Sequence, residues 1–326
     1  MPRFVAEPTV EPSRVRHLPE FCELAPLVAE PGVTDVFVSG SAGVWVDCGD
    51  GAKHLPEVSL TEQRARQLAI SLVSLGGRHI DEATPCVDVR LKDGIRVHAV
   101  LPPVSCNGTT ISIRVPRLER MLLSDLNECG FFQAGQLVQI QRLVRERKNV
   151  LISGATGSGK TTLLSAMLSA AAIEDRIIAI EDVAELRVQH PHFLSLEARQ
   201  SNLEGVGEIG LARLVREALR MRPSRLVLGE CRGVEVRELF AALNTGHSGG
   251  AGTLHANSIL DVPARLEALG SLAGLSPQAV ARQAASAIDS ILHLGWLGGK
   301  RALLEIGEFE LNATGLLQIR SKLEKS

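Results

Sequence analysis

A glycine-rich run near the middle of the chain constrains the fold more than any other feature. It reads Gly154-Ala155-Thr156-Gly157-Ser158-Gly159-Lys160-Thr161-Thr162 and satisfies the pattern G-x-x-x-x-G-K-[ST]. Residues 149–153, before the run, form a short apolar stretch typical of a buried strand. Residues 163–171, after it, carry apolar side chains at helical spacing. A strand, a glycine loop and a helix in this order predict a P-loop, which binds a nucleoside triphosphate.

The residue types of this run explain the chemistry that it predicts. Glycines allow backbone N–H groups to curl around a phosphate, and the N-terminus of the following helix adds a positive dipole. Lys160 would reach the β- and γ-phosphate oxygens, and the Thr161 hydroxyl would ligate Mg²⁺. The sequence therefore predicts that the whole run, from Gly154 to Thr162, binds the nucleotide.

Composition limits the classes of protein to which the chain can belong. Its 326 residues are enough for two domains, and 45% hydrophobic with 22% charged residues exclude wholesale disorder. Aromatic residues make up 3%, tyrosine is absent and the formal net charge is −2. Since nucleic-acid binders usually present basic surfaces and aromatic platforms, no direct nucleic-acid contact is expected.

The cysteines and the apolar runs indicate a compartment. The N-terminal residues lack the apolar stretch of a signal peptide, and no segment has the ~18 uninterrupted apolar residues of a membrane span. The cysteines lack the spacing of metal sites, which favours reduced thiols. They are Cys22, Cys48, Cys86, Cys106, Cys129 and Cys231. We expect a cytoplasmic protein that reaches a membrane only through partners.

The N-terminal third predicts a small α+β domain. Residues 1–17 are rich in Pro and Glu and predict a flexible segment, and the domain is expected to span residues 18–115. It contains short apolar runs of strand type, and the Lys92-Asp93-Gly94 turn predicts a hairpin between two of them. One amphipathic helix is predicted at about residues 61–75, with Thr61 at its cap or first turn.

The remainder predicts an α/β domain. Residues 116–124 are expected to be a linker, and residues 125–326 alternate strand and helix signals, which indicates a predominantly parallel sheet covered by helices. Ser276-Pro277 predicts the start of an Ala-rich helix, and Gly298-Gly299-Lys300 predicts a hairpin within residues 291–311. Other strands are predicted at 176–180 and 226–228, with helices within 126–147 and at 208–221 and 234–243.

Two groups of carboxylates follow predicted strands. Glu181 and Glu185 come after the strand at 176–180, and Glu230 follows Val227-Leu228-Gly229, 70 residues beyond Lys160. Because ligands bind at the carboxyl ends of parallel strands, these side chains are candidates for positioning Mg²⁺ and an attacking water. The alternative is that they cap the helices that follow.

A second glycine-rich stretch covers residues 246–257 and contains His247 and His255. We expect either a loop that approaches phosphate or a subunit boundary, with His255 as its polar group, or a long turn with a satisfied core histidine. Two histidines and Thr253 among four glycines favour the functional interpretation.

Four motifs in order resemble those of the secretion ATPase superfamily. They are the run at 154–162, Ile-Glu-Asp-Val-Ala-Glu-Leu at 180–186, Gly-Glu-Cys-Arg-Gly at 229–233 and Gly-His-Ser-Gly…Thr-Leu-His-Ala-Asn at 246–257. That family calls them Walker A, Asp box, Walker B and His box. Residues 32–36 and 88–114 are similar to the tight-adherence (Tad/CpaF-type) pilus-assembly branch, and the resemblance covers about residues 20–300.

The resemblance implies a RecA-like motor that hydrolyses ATP with Mg²⁺. It also implies a homo-oligomeric ring, a hexamer, with ATP bound between the two domains. Glu230 would polarise water, with Glu181 and Glu185 supporting Mg²⁺ and water. Arg96 and Arg114 match family arginines that reach the phosphates, Arg220 and Arg232 match motor-domain arginines that sense the γ-phosphate, and His255 belongs to the His box.

The expected function is that of a cytoplasmic ATPase at an inner-membrane platform protein that assembles a pilus or secretes protein. Two alternatives remain open. One is an ATPase that energises conjugal DNA transfer, and the other is a nucleotide-gated scaffold without useful turnover. The tetracysteine zinc module of type II secretion relatives is absent, Cys231 replaces a more usual apolar residue, and the N-terminal extension is short.

Overall fold

The computed structural model describes residues 18–49, 51–116, 120–199 and 207–321. The chain divides into two compact units, residues 1–118 and residues 119–326, which are called the N-terminal unit and the C-terminal unit below. The predicted flexible segment 1–17 lies outside the described residues, as do residues 117–119 of the predicted linker. The last two residues of that linker, 123 and 124, lie in a helix.

The N-terminal unit is a six-stranded antiparallel sheet in the order β3-β2-β1-β6-β5-β4. Its strands are β1 (Asp35–Ser39), β2 (Val44–Asp47), β3 (Lys53–His54), β4 (Cys86–Arg90), β5 (Arg96–Val100) and β6 (Thr110–Arg114). Two helices accompany them, α1 (Ala25–Ala29) and α2 (Glu62–Leu75). The predicted hairpin joins β4 to β5 through the short helical turn Lys92–Gly94.

Helix α2 covers the apolar face of this sheet. It buries Ala65, Leu68, Ala69, Leu72 and Val73 and contacts β4, β5 and β6. The Thr61 hydroxyl accepts a hydrogen bond from the Arg64 N–H at 3.3 Å, so the predicted cap is confirmed. The Glu62 carboxylate accepts from the backbone N–H and the hydroxyl of Thr109, which ties the segment before β6 to the helix start.

The C-terminal unit is an eight-stranded sheet with helices on both faces. Its helices are α3 (Leu123–Glu128), α4 (Gln136–Arg145), α5 (Lys160–Ser169), α6 (Leu211–Arg220), α7 (Glu235–Asn244), α8 (Val262–Leu272) and α9 (Pro277–Ala287). Its strands are β7 (Val150–Gly154), β8 (Ile177–Glu181), β9 (Phe193–Glu197), β10 (Arg225–Leu228), β11 (Ala251–His255), β12 (Ser290–Leu297), β13 (Lys300–Leu311) and β14 (Leu317–Ser321).

The strand order, β14-β13-β12-β7-β11-β10-β8-β9, makes six neighbouring strands parallel. The pairs from β12 to β9 are parallel, and β13 and β14 add antiparallel strands at one side. Two buried clusters fill the two faces of the sheet. The predicted α/β class with a predominantly parallel sheet is confirmed.

Most of the predicted elements of this unit are present. Ser276 caps α9 by accepting from the Ala279 N–H at 3.2 Å, and the β12–β13 hairpin turns at Gly298 and Gly299. Helix α6 begins at Leu211 rather than 208, because Gly210 occupies its extended cap position. Strands β9 and β14 and helix α8 were not predicted. No helix in the described ranges is long and apolar enough to cross a bilayer.

The interpretation of residues 246–257 as a loop or a long turn was wrong for residues 251–255. Residues Ala251–His255 are strand β11, which lies between β7 and β10 and is buried except at His255. Gly250, directly before the strand, and Gly252 within it allow close packing. A methyl group at Gly250 would lie 2.3 Å from Leu243 Cδ2, and one at Gly252 would lie 3.3 Å from Cys231 Sγ. Small residues here allow helix α7 to pack directly on the strand backbone.

This packing predicts a specific stability effect. We expect Gly250→Ala to destabilise the C-terminal unit by about 1–3 kcal/mol, the usual penalty of overpacking, because the added methyl also meets the Leu226 carbonyl oxygen at 2.9 Å. Urea unfolding followed by Trp296 fluorescence in a Trp45→Phe background measures it. The control is Gly210→Ala, whose methyl meets nothing within 4 Å and should cost less than about 1 kcal/mol. Equal losses would contradict the packing explanation.

Candidate nucleotide-binding site

The predicted P-loop joins the end of β7 to the start of α5. The loop bends at glycines with positive φ, +75° at Gly157 and +97° at Gly159. Gly154 has φ +151°, and a Cβ there would lie 2.6 Å from both the Leu294 carbonyl oxygen and the Ser158 hydroxyl. The loop conformation therefore requires glycine at these positions. Residues 155–157 at its apex are exposed to solvent.

The loop fits a phosphate chain. Lys160 is 7% exposed, and its ammonium donates to the carbonyl oxygens of Gly154 and Ala155 at 3.0 and 2.9 Å. Burial lowers the pKa of this ammonium, and the nearby Glu230 charge opposes that shift. The Ser158 hydroxyl is buried inside the loop and has no hydrogen-bond partner among the described residues. Both groups are polar atoms that phosphate oxygens would satisfy.

The donor set fits Mg²⁺ that is held mainly by phosphate. No cluster of three or more His, Cys, Asp or Glu side chains in the described residues could form a protein cage for a metal. Thr161 is the second residue of α5 and its side chain is partly exposed beside the loop. One hydroxyl beside a phosphate cradle is the arrangement that magnesium uses with nucleotides.

Four side chains form a continuous chain of contacts above the P-loop. Lys160 Nζ lies 3.3 Å from His255 Nδ1, and His255 Nε2 lies 2.9 Å from Glu230 Oε1. Arg232 Nη2 then donates to Glu230 Oε2 at 2.7 Å. Strand order explains these contacts. Strand β11 lies between β7 and β10 and therefore places His255 between Lys160 and Glu230.

The chain of contacts defines the protonation of His255. A lysine ammonium can only donate, so Nδ1 accepts, and the Nε2–H is left to donate to Glu230. Burial and the adjacent Lys160 charge lower the pKa of His255 below its ordinary value, and Glu230 opposes them. Neutral His255 therefore bridges a cation and an anion at pH 7.

Arg232 is the most accessible of these four side chains. Its side chain is 55% exposed, while that of Glu230 is 23% exposed. The hydrogen bond with Glu230 raises the pKa of Arg232, and the charges of Asp182 and Glu185 add to the effect. Its guanidinium also lies 3.7 Å from Asp182. The loop after β8, which carries exposed Glu185, is thus near the site.

Both carboxylate oxygens of Glu181 are hydrogen-bonded to protein groups. One carboxylate oxygen accepts from the backbone N–H groups of Glu185 and Leu186 at 2.8 and 2.9 Å, and the other accepts from the Ser195 hydroxyl at 3.0 Å. Burial raises its pKa despite these bonds. Because both oxygens hold protein groups, the geometry favours a role in ordering residues 182–186 over direct Mg²⁺ coordination.

Arg220 is not brought to this site. It ends helix α6, its guanidinium bonds Glu217 at 3.0 Å, and the next residue, Met221, accepts a hydrogen bond from Arg176. Arg176 directly precedes β8. Arg220 therefore lies near the amino ends of the parallel strands, whereas the P-loop lies at their carboxyl ends. Its predicted contact with the γ-phosphate stays a prediction, and the structure does not bring it to the P-loop of its own subunit.

Arg96 and Arg114 belong to the N-terminal unit. They are directly opposite each other on β5 and β6, and Arg114 is also opposite Asp35 on β1. Both lie on the face of the sheet away from the buried residues Val97 and Ile113. Two like charges on adjacent strands repel each other unless an anion or carboxylate is near. Their predicted contact with phosphates stays a prediction.

One buried histidine near the P-loop was missed. His293 on β12 is 3% exposed, and its Nδ1 lies 2.9 Å from the Ser153 hydroxyl on β7. Burial lowers its pKa, while a hydrogen bond to the Asn257 backbone opposes this. His293 thus connects the P-loop strand to the segment after His255. No local motif marks it, since only the sheet register brings β12 beside β7.

The contact chain predicts how His255 titrates. Lys160→Met removes the adjacent positive charge and should raise the pKa of His255, while Glu230→Gln removes the stabilising negative charge and should lower it. NMR titration of the imidazole Cε1–H measures both, with the signal assigned by its loss in His255→Asn. The other histidines are internal references. An unchanged value in both variants would show that these side chains are not neighbours in solution.

Comparisons with known proteins identify the family of this chain. The family model of type II/IV secretion system proteins matches residues 20–294. A putative conjugal transfer protein of Mycobacterium tuberculosis is 46% identical over 290 residues, 87% of this chain and 82% of that protein. Conjugal transfer protein TrbB of Rhizobium radiobacter is 32% identical over 71% of this chain and 69% of its own.

A solved structure shares the fold. The pilus retraction motor PilT with bound ADP has a TM-score of 0.61 and 21% identity, with coverage of 87% of this chain and 80% of that one. The predicted α/β architecture agrees with that fold. With the matched residues and the motif order above, the chain belongs to the type II/IV secretion system protein family, within the secretion ATPase superfamily.

Proposed function

We propose that this protein hydrolyses ATP with Mg²⁺ and uses the resulting motion to drive a secretion or pilus-assembly machine. The observation that carries the proposal is the contact chain from Lys160 through His255 and Glu230 to Arg232, at the mouth of a P-loop. It places a phosphate-binding cation, a bridging imidazole, a carboxylate and an exposed guanidinium in one row. These are the groups that phosphoryl transfer to water uses.

Lys160 would exchange partners when the substrate binds. Its ammonium now donates to two loop carbonyls, and phosphate oxygens carry more negative charge than carbonyls. The P-loop backbone and the Ser158 hydroxyl would bind the same phosphates. Thr161 would hold Mg²⁺, which neutralises the phosphate charge when bound.

Glu230 would orient the attacking water, and Arg232 would regulate it. Both Glu230 oxygens are occupied, one by His255 and the other by Arg232. The exposed Arg232 guanidinium can leave Glu230 for γ-phosphate oxygens, which frees one carboxylate oxygen to accept a proton from water. The Glu230 carboxylate would then be able to accept a proton from water only when a triphosphate is present.

His255 would connect the two events. Because its nitrogens contact Lys160 and Glu230 at once, a shift of Lys160 toward phosphate changes the hydrogen bond available to Glu230. Glu181 would act indirectly, by ordering the loop that carries Glu185 and Asp182 beside Arg232. Glu185 would support the water from that loop.

The assembly and the process are proposed from the family resemblance. We infer a homohexameric ring, association with the inner membrane through a polytopic platform protein, and a place in the tight-adherence branch. Residues 32–36 and 88–114 support that branch, since they carry its N-terminal motifs.

Conjugal DNA transfer is the second candidate process. It is favoured by the names of the two relatives above, which are conjugal transfer proteins in curated descriptions. Deletion of the gene separates the two processes. Loss of surface pili or secreted protein with unchanged plasmid transfer supports the first, and the converse supports the second.

The catalytic proposal predicts different results at two glutamates. Glu230→Gln should bind ATP but lower kcat by about 10²–10⁴-fold, because it removes a general base. Glu181→Gln retains an acceptor oxygen for the two backbone N–H groups and should lower kcat less than about tenfold. Mg²⁺-dependent phosphate release, measured together with light scattering over a concentration series, tests both.

The matched pair also distinguishes the alternatives. Wild type that binds ATP in an assembled ring but turns over no faster than Glu230→Gln would establish the scaffold interpretation. A decrease in kcat at Glu181→Gln as large as at Glu230→Gln would indicate that Glu181 takes part directly in the reaction. A ring that forms and hydrolyses ATP only in wild type and Glu181→Gln supports the motor.

A further inference from the structure

An aromatic ring and a guanidinium lie side by side near the P-loop on the β12–β13 hairpin. Trp296 and Arg301 are cross-strand partners in the register of that hairpin, and the Arg301 guanidinium carbon is 5.3 Å from the indole centroid. Directly opposite residues share one face of a sheet. The pair therefore presents a combined π surface, with cation–π contact within it.

The register of the sheet places this pair at the P-loop. Leu294 on β12 is aligned with Gly154, the last residue of β7, so Trp296 lies two residues beyond the level at which the loop begins. On the same side, the Arg301 Cδ is 3.6 Å from the position that a Cβ would take at Gly159. The pair borders the loop next to the start of helix α5.

A buried aromatic group fixes the hairpin in this place. Phe131 Cε2 is also 3.6 Å from the Cβ position at Gly159, and its carbonyl oxygen accepts from the Leu303 N–H at 2.9 Å. Phe131 is 4% exposed and packs edge to face on Phe132. The position of Arg301 relative to the loop is thus held by both backbone and core contacts.

Trp296 is exposed although it is large and apolar. Its relative exposure is 53%, whereas Phe131, Phe132 and Phe240 in the same unit are buried. The neighbouring Leu297 at the hairpin tip is 56% exposed. An exposed indole over an arginine, beside a phosphate-binding loop, is a surface on which a flat aromatic ligand can stack.

From this placement we propose that Trp296 and Arg301 form the subsite for the nucleobase of the bound nucleotide. The inference rests on the proposed function, since it takes the phosphates to lie in the P-loop. The base of a nucleotide anchored there would lie within one nucleotide length of the loop, and the Arg301 Cδ is 3.6 Å from the Cβ position at Gly159. The indole and guanidinium planes would stack on the base and contribute affinity that the phosphates alone do not supply.

The test compares a ligand that has a base with one that lacks it. ADP and inorganic tripolyphosphate are titrated into the full chain by calorimetry, and into a Trp45→Phe background in which Trp296 is the sole indole. We expect ADP, but not tripolyphosphate, to change Trp296 emission. Trp296→Leu and Arg301→Ala should weaken ADP binding at least about fivefold, as loss of a stacking partner does, and leave tripolyphosphate binding unchanged.

Matched variants separate this proposal from the proposed function. Trp296→Phe keeps a π face and should restore most of the ADP affinity, and Arg320→Ala, an exposed arginine paired with Glu308 on β13, should bind like wild type. Lys160→Ala should weaken both ligands. If wild type binds neither ligand, the P-loop assignment fails. If both bind and the Trp296 and Arg301 variants weaken neither or weaken both equally, only the base subsite is overturned.

Discussion

The geometry of the site depends on one buried strand. Strand β11 lies between the strand that leads into the P-loop and the strand that leads to Glu230, so His255 is delivered between Lys160 and Glu230. The strand fits there because Gly250 and Gly252 leave room for Leu243, Leu239 and Cys231 of the layer above. Two hydrogen bonds also join the strand to the segment after β10. The Cys231 N–H donates to the Thr253 carbonyl at 2.8 Å, and the Thr253 hydroxyl donates to Gly229 at 2.6 Å.

The charges above the P-loop alternate, which is the basis of the proposed switch. A cation, a neutral imidazole, a carboxylate and a second cation follow each other, and each contact uses an atom that a triphosphate would also attract. The members differ in freedom, since Lys160 is buried while Arg232 is more than half exposed. A ligand can shift such an arrangement only through contacts that differ between its two states, and in the proposed function the γ-phosphate would provide that difference. Glu181, fixed by three hydrogen bonds, stays outside this exchange.

The sequence predicted the parts of the site that are contiguous in the chain. The P-loop, the carboxylates after β8 and β10, the cap at Thr61 and the turn at Gly298-Gly299 all depend on neighbouring residues, and their local patterns were sufficient. The glycine-rich stretch before His255 was misinterpreted for the same reason. Glycines usually indicate a turn, but here they are needed because side chains of helix α7 pack directly against the backbone at these positions. Arg220 was placed at the site by motif resemblance alone, whereas the direction of α6 puts it at the other edge of the sheet.

By itself, the amino-acid sequence determined that this protein has a P-loop, an α/β unit after a smaller α+β unit, and acidic residues at strand ends. Those features depend on interactions between residues close in sequence: the backbone conformations of glycine, the spacing of hydrophobic residues and the capping of helices. Tertiary structure alone decided which polar groups touch. Strand order put His255 rather than Glu181 between Lys160 and Glu230, and sheet register put His293 beside Ser153 and the hairpin of Trp296 and Arg301 beside the loop. Contacts of this kind join residues that are 25 to 140 positions apart in most cases, and sequence spacing carries no information about them.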